Sequence, residues 1–377
     1  MLIYFFVYFL VLCTATQNSR RIKQSIQFIL VLFLCFGYMT GSDWRVYELN
    51  YYTIKSFSDI VHLGLSTHEE IGYNLLVWLS NSLGIGFWPF HIFFKCAVMI
   101  ILFKTAESFN VSVSQYFVIY FATACFMFVD CPFRNMIAWG ISMFSLRYIG
   151  NKQFLRYLFC VIIAASIHLS AVIMLVLYPV YHFKKEMNII VVALIIVGLY
   201  IFAFAGTGLI EMVNSLTAAS EYADRRLAGY ASSDVFAYSP INSNTIFSLI
   251  IFVFAIFNRK EIKKQKYGHE VFNLFCLYEV LLPIANSFRM FGRFTIYLSL
   301  FSIVIIIYLI RSINEKTMKL AFVSFVVLFS IARIQFVLSQ DCRYVPYSNY
   351  LQYVFNPPTY GFRDNYNPHH SQYRDFR

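Results

Sequence analysis

Charge is what this chain has least of. Only 13% of its 377 residues are Asp, Glu, Lys or Arg, against 59% hydrophobic residues, and the mean hydropathy is +0.62. So few polar groups could not cover the apolar surface of a soluble domain, whereas a bilayer demands such a composition. An all-α polytopic membrane protein is therefore expected. Acids are scarcer than bases, 19 against 30, which leaves a net charge of +11. In a soluble chain that excess would point to nucleic acid. Here the bases lie in short loops between apolar runs and form no domain of their own, which argues against nucleic acid and for helix orientation beside anionic membrane lipids. No Cys/His spacing resembles a metal site, and Asp43 has no neighbouring acid to complete a D-x-D pair. Neither a metal nor another cofactor is indicated. The chain has no repeat of fixed period and no long linker. Its first apolar run, Met1 to Leu12, has neither a basic n-region nor a small-residue cleavage site, and reads as a retained helix.

Cysteine adds little. Cys13, Cys35, Cys96, Cys125, Cys160 and Cys276 lie within or beside apolar runs and read as small hydrophobes. Cys131 and Cys342 are expected at the outer surface, where a disulfide and two unrelated thiols are both compatible with the sequence.

Apolar runs fall near residues 2–13, 25–39, 88–103, 115–129, 133–149, 154–167, 168–181, 188–206, 244–258, 270–287, 292–311 and 318–338. They predict about 12 transmembrane helices, several shorter than the ~20 residues of a straight span and so short or broken. Arg20, Arg21 and Lys23 place the first connection inside. Arg147, Lys152 and Arg156, then Lys184 and Lys185, the run Arg259 to Lys266, and Arg311 with Lys316 mark later inner connections. Both termini are then outside. Glu70 to Phe87 looks helical, but a crossing there would break this parity, so an interfacial or re-entrant helix is expected. Phe154 to Phe183 has basic residues near both ends, which favours two half-length helices meeting near His168. Residues 1–338 read as one membrane domain with outer loops 41–87 and 207–243. Residues 339–377 read as an outer tail, poorly ordered beyond about Asn356.

Against this topology four arginines stand on the wrong side. Arg134, Arg289, Arg293 and Arg333 fall near outer ends, where membrane insertion has no need of them. Pro132 suits the first turn of a helix, which would set Arg134 beside unpaired N–H groups at its positive end. Arg289 and Arg293 can share a helical face, with Tyr297 four residues on pointing the same way. Arginine forks grip phosphate oxygens in bidentate fashion, so the cluster suits a lipid pyrophosphate; anchoring to lipid head groups is the competing reading. His168 could exchange a proton or simply bond a carbonyl. Glu279, inside an apolar run, needs a partner such as an arginine, a wet cavity or a neutral state. Asp43, Arg45 and Tyr47, and later Glu69, Glu70 and Tyr73, combine acids with aromatics, as sugar binding or deprotonation of a hydroxyl would require; an ordinary solvated loop would read the same.

Asp43…Tyr47, Glu70-x-Gly72-Tyr73, Phe133-Arg134-Asn135-x-x-Ala138 with a basic turn after it, His168-x-Ser170-Ala171, Arg293…Tyr297 and Pro346-Tyr347 together resemble the EpsG-like family of Wzy-type exopolysaccharide and O-antigen polymerases. The resemblance runs over almost the whole chain, with Asn135 where the family usually has glutamine. It implies a membrane domain like those of C-type glycosyltransferases, which need no nucleotide sugar and no metal. It also implies glycosyl transfer at the outer face of the inner membrane, from an undecaprenyl-pyrophosphate-linked glycan to a hydroxyl of the next repeat unit. On that reading Arg134, with Arg289 or Arg293, stabilises pyrophosphate, and Glu70, Asp43 and His168 are the candidates for the base. Arg45, Tyr47, Tyr73, Asn135, Tyr297 and Tyr347 contact glycan. A chain-length regulator and a flippase of the same pathway would be partners. A lipid-linked oligosaccharide flippase should show internal pseudo-repeats and polar groups open to both faces. An O-antigen ligase usually bears one larger outer loop, whereas polarity here divides among three outer regions.

Overall fold

The computed structural model describes residues 1–17, 19–41, 43–66, 70–123, 132–185, 187–204, 241–287, 289–340 and 344–357. Among them regular structure is helical, with one isolated bridge between Gly37 and Asn349. The chain divides into two compact units, the first formed by Met1–Val172 with Ala321–Arg377 and the second by Ile173–Leu320.

The first unit opens with α1 (Leu2–Thr14) and α2 (Arg20–Leu30), which widens into a π turn over Val31–Cys35. The region 41–87, expected as an outer loop with a helix in Glu70 to Phe87, folds into α3 (Trp44–Thr53), α4 (Phe57–Ser66) and α5 (Ile71–Ser82), of which α3 and α4 were not expected. Then come α6 (Phe87–Ser108), α7 (Val113–Thr123), α8 (Phe133–Gly150) and α9 (Phe154–Ile167). The chain breaks at His168, whose backbone is extended (φ −152°, ψ 116°), before a 3-10 turn over Leu169–Ile173. This is the break that the basic ends of the run lead one to expect.

The packing of α6 on α8 sets the frame of this unit. Phe133 meets the rings of Phe90 and His91 at the start of α6, at 5.6 and 4.2 Å between centroids. Seven residues further along both helices, a Cβ on Gly140 would stand 2.5 Å from a methyl of Val98. Contacts that advance together along both chains mean parallel helices in register, and glycine at position 140 permits their close approach.

The tail closes the end of α2. A π turn and a helix terminus leave carbonyls without intrahelical donors, and residues more than 300 positions away supply them. Tyr347 Oη–H donates to the Phe33 carbonyl at 2.7 Å, Asn349 Nδ2–H to Leu32 at 2.9 Å, and the Tyr350 N–H to Phe36 at 2.8 Å. Tyr38 N–H donates in turn to the Ser348 carbonyl at 3.0 Å, and Tyr4 Oη–H to Tyr344 at 2.8 Å. The tail from Tyr344 to Tyr353 is thus built into the fold, while residues 358–377 lie outside the described residues. Asn349 also bonds Tyr347 Oη and the Leu351 N–H. Asn349→Ala should therefore cost about 1–3 kcal/mol by stranding these groups, read as an earlier thermal unfolding transition in detergent; an unchanged transition would contradict the docking.

In the second unit α10 (Met174–Tyr181), α11 (Ile189–Phe204) and α12 (Ser243–Phe257) pack on α14 (Gly268–Ser287), with the short basic α13 (Arg259–Lys263) between α12 and α14. The longest contact joins α14 to α15 (Arg289–Ser312). Helix α16 (Lys316–Gln340) starts in this unit and from Ala321 on belongs to the first. Asn242 caps α12 by accepting from the N–H groups of Asn244 and Thr245 in a capping box. Ile190, Leu194, Val197 and Ile201 stand exposed at helical spacing on α11, an apolar stripe that the described residues leave uncovered. Lipid is the solvent such a stripe fits.

Three helical stretches among the described residues are long and apolar enough to cross a membrane: Phe87–Ser108, Phe291–Ser312 and Lys316–Ser339. The expected runs near 2–13, 154–167, 168–181, 188–206 and 244–258 are helical and apolar but shorter. The chain is a membrane-embedded helical protein; a count of 12 crossings goes beyond these lengths.

Candidate active site

Arg134 and Glu70, 64 residues apart in sequence, form an ion pair at 2.7 Å between Nη1 and Oε2. Each is placed by a helix start. Pro132 is the N-cap of α8, one position earlier than the first-turn role its ring suggests, so Arg134 is the second residue of the helix. Glu70 is the N-cap of α5, with no side-chain bond to its own helix. Its carboxylate consequently lies near the positive ends of two helices and a guanidinium. The pair is neither exposed nor sealed, with the side chains 26% and 13% accessible.

Aromatic rings wall this centre. The Arg134 guanidinium carbon lies 5.8 Å from the ring centroids of both Tyr47 and Tyr73. Those two rings meet edge to face at 5.8 Å, and Phe133 touches each at 5.9 and 6.1 Å. Cation–π contact and the carboxylate hold the guanidinium from two directions, which fixes the plane of its fork. Four residues expected in the site, Glu70, Arg134, Tyr47 and Tyr73, are thereby brought into one neighbourhood, with Asn135 next to Arg134 in the chain. Asn135 is 1% exposed, and neither amide atom has a hydrogen-bond partner among the described residues.

The motif Glu70-x-Gly72-Tyr73 acquires a reason. A Cβ on Gly72 would come within 2.7 Å of the Ser166 carbonyl oxygen at the end of α9. Glycine lets α5 lie directly on α9, and Glu70 and His168 each stand two residues from that contact. Gly72→Ala should push α5 away at a cost of about 1–3 kcal/mol. We expect lower thermal stability together with shorter glycan chains, since α5 carries Glu70 and Tyr73; a variant normal in both would show that the approach is not needed.

Asp43, Arg45, His168 and Tyr347, also of the first unit, stand among local contacts. Asp43 is the N-cap of α3, its carbonyl accepting from the Tyr47 N–H at 3.1 Å, and Arg45 lies 5.4 Å over the Trp44 ring. His168 is nearly buried, and its Nδ1 accepts from the Ser170 N–H at 3.3 Å and meets Ser170 Oγ at 2.8 Å. The imidazole thus caps the 3-10 turn. The Tyr347 hydroxyl serves the Phe33 carbonyl. Arg289 and Arg293 open α15 in the second unit. The side chain of Arg289 lies outside the described residues, Arg293 is exposed, and Tyr297 is fully buried, so the shared face of Arg293 and Tyr297 does not share accessibility. Glu279 is paired with serine: Ser248 Oγ–H donates to its Oε1, and no arginine bonds it among the described residues. Glu69, Cys131 and Cys342 lie outside the described residues.

Sequence reading missed two residues. His91 and Lys95 lie on α6 and are 2% and 1% exposed. The signal was present as two basic side chains four apart within an apolar run, which places them on one helical face.

No curated protein and no solved structure matches the chain. The family model described as EpsG family matches residues 24–355. That range takes in α3, α5, α6, α8 and the docked part of the tail, and with them every described residue of the Arg134–Glu70 centre. The chain is a member of the EpsG family, whose proteins are Wzy-type polymerases.

Proposed function

We propose that the protein joins lipid-linked oligosaccharide repeat units into a polysaccharide at the outer face of the inner membrane. The donor would be a glycan on undecaprenyl pyrophosphate. A hydroxyl of the acceptor unit attacks the anomeric carbon of the donor's first sugar, the bond from that carbon to the pyrophosphate oxygen breaks, and the electron pair leaves with undecaprenyl pyrophosphate. The leaving group is already activated, so the protein has to receive its charge, take one proton and hold two large substrates in line. Arg134 receives the charge. Glu70, 2.7 Å away, takes the proton of the attacking hydroxyl. Tyr47, Tyr73 and Phe133 supply faces for sugar rings.

The observation that carries this reading is the Arg134–Glu70 pair itself, set between two helix N-termini and aromatic walls. A guanidinium has five N–H donors, so it can hold a carboxylate on one edge and phosphate oxygens on another. On the same reading the outward ends are those of α6 and α8 that carry Phe87 and Phe133, as the basic inner loops require. Deleting the gene in its host and analysing lipid-linked glycans tests the assignment. Single repeat units accumulating on the carrier support it; unattached long chains would mean a ligase, and inward-facing repeat units a flippase.

A further inference from the structure

Near its C-terminal end α6 carries two opposite charges that do not meet. Lys104 and Glu107 are exposed and lie three residues apart on one helical face, yet among the described residues neither makes an ion pair. Both line a groove of 430 Å³ between α2 and α6. That volume falls within the range of small-ligand sites.

The way the two helices run decides how the groove is lined. Cys35, at the end of the π turn after α2, meets Cys96 on α6. Four-residue steps back from Cys35 reach Val31 and Gln27, and four-residue steps forward from Cys96 reach Ile100 and Lys104, all of them groove residues. The helices are therefore antiparallel, and the groove follows their length. Gln27, Lys104 and Glu107 form the end nearer Ser108, which the basic loops place at the inner membrane surface. Ile100 lies about 10 Å deeper along α6 than Glu107. Phe28 and Ile100 are exposed large apolar side chains beside the opening, while Phe103 is buried.

A wall that is polar at the water edge and apolar toward the hydrocarbon fits a membrane lipid standing upright. A water-soluble ligand would have no use for the apolar depth, and a bare acyl chain would leave both charges unanswered. The headgroup must offer an anion to Lys104 and a cation to Glu107 across the roughly 5–6 Å between neighbouring positions on a helix. A phosphate joined through a two-carbon linker to a primary ammonium does this. We propose that the groove holds one phosphatidylethanolamine molecule of the inner leaflet. Its phosphate meets Lys104, its ammonium donates to the Glu107 carboxylate and the Gln27 side-chain oxygen, and an acyl chain lies on Phe28, Val31 and Ile100. A choline headgroup has no N–H to donate, and a glycerol headgroup has no cation. The site is at the opposite end of α6 from Phe87 and requires no assumption about glycan transfer.

The test uses the full-length protein, stripped of lipid in detergent and titrated with phosphatidylethanolamine, phosphatidylcholine and phosphatidylglycerol of identical acyl chains, with bound lipid counted by native mass spectrometry. Wild type should bind phosphatidylethanolamine about fivefold more tightly than either of the others. Glu107→Ala should bring the three lipids within about twofold of one another, and Lys104→Gln should weaken phosphatidylethanolamine by about fivefold. Both side chains are exposed, so the unfolding temperature of each variant should stay at the wild-type value. Equal binding of the three lipids by wild type, or a preference that persists in Glu107→Ala, would overturn the proposal. Tighter binding of phosphatidylglycerol by wild type would overturn it in favour of an anionic lipid held by Lys104 alone.

Discussion

Arg134→Ala is expected to leave the protein in the membrane at near wild-type abundance and to abolish long glycan chains. Removing one preorganised group that stabilises departing charge costs about 10²–10³-fold in rate. Polymer length compounds that loss, because each added unit requires another transfer. Arg134→Lys should recover only part of the activity. It restores charge but not the planar fork that holds Glu70 at 2.7 Å and sits 5.8 Å from two tyrosine rings. Abundance should survive because the side chain is 26% accessible rather than sealed. Wild-type chain length in Arg134→Ala would remove the arginine from the chemistry.

Glu70 carries the second large effect, and its variants separate two roles. Glu70→Ala strands a half-buried guanidinium and should cost about 1.5–3 kcal/mol in stability. Glu70→Gln keeps an oxygen that can accept from Arg134 and should cost less. If Glu70 served only to orient Arg134, Glu70→Gln would stay active. As the proton acceptor it should lose about 10²–10⁴-fold in transfer rate while staying folded. The exchanged pair, Glu70→Arg with Arg134→Glu, should recover stability relative to either single change without recovering chain synthesis. An active exchanged pair would show that the two groups are only a structural clasp.

Much of this was legible from local pattern, and what escaped depended on distance. The start of α8 follows from Pro132 before an apolar run, and the break at His168 from basic residues near both ends of a segment, one of which a single crossing would export. Neither inference needs knowledge of a distant partner. The pairing of Arg134 with Glu70 does, across 64 residues, as does the docking of Tyr347 and Asn349 on carbonyls 314 and 317 positions away. A tail rich in Tyr, Asn and Pro therefore read only as an outer tail, poorly ordered beyond about Asn356, and its pairing with the end of α2 was not foreseen. Helices α3 and α4 were missed because aromatic and acidic residues interleave there without a clear apolar stripe. His91 and Lys95 were overlooked for the opposite reason. The run around them is so apolar that two bases barely weaken it, and both are buried.

The fate of the expected residues follows the same logic. Whereas Glu70 entered as a candidate base only through the family resemblance, Arg134 could be singled out because a helix terminus has a known field. His168 and Tyr347 could not, since either might face a ligand or satisfy the backbone. In the fold His168 bonds Ser170 and Tyr347 bonds Phe33.

The most direct measurement is reconstitution. Purified protein in liposomes, given an undecaprenyl-pyrophosphate-linked repeat unit from its host, should form a ladder of lengthening glycans and release undecaprenyl pyrophosphate in step with each bond made. Arg134→Ala and Glu70→Gln should form neither. A ladder of equal yield from these variants, or none from the wild-type protein, would contradict the account.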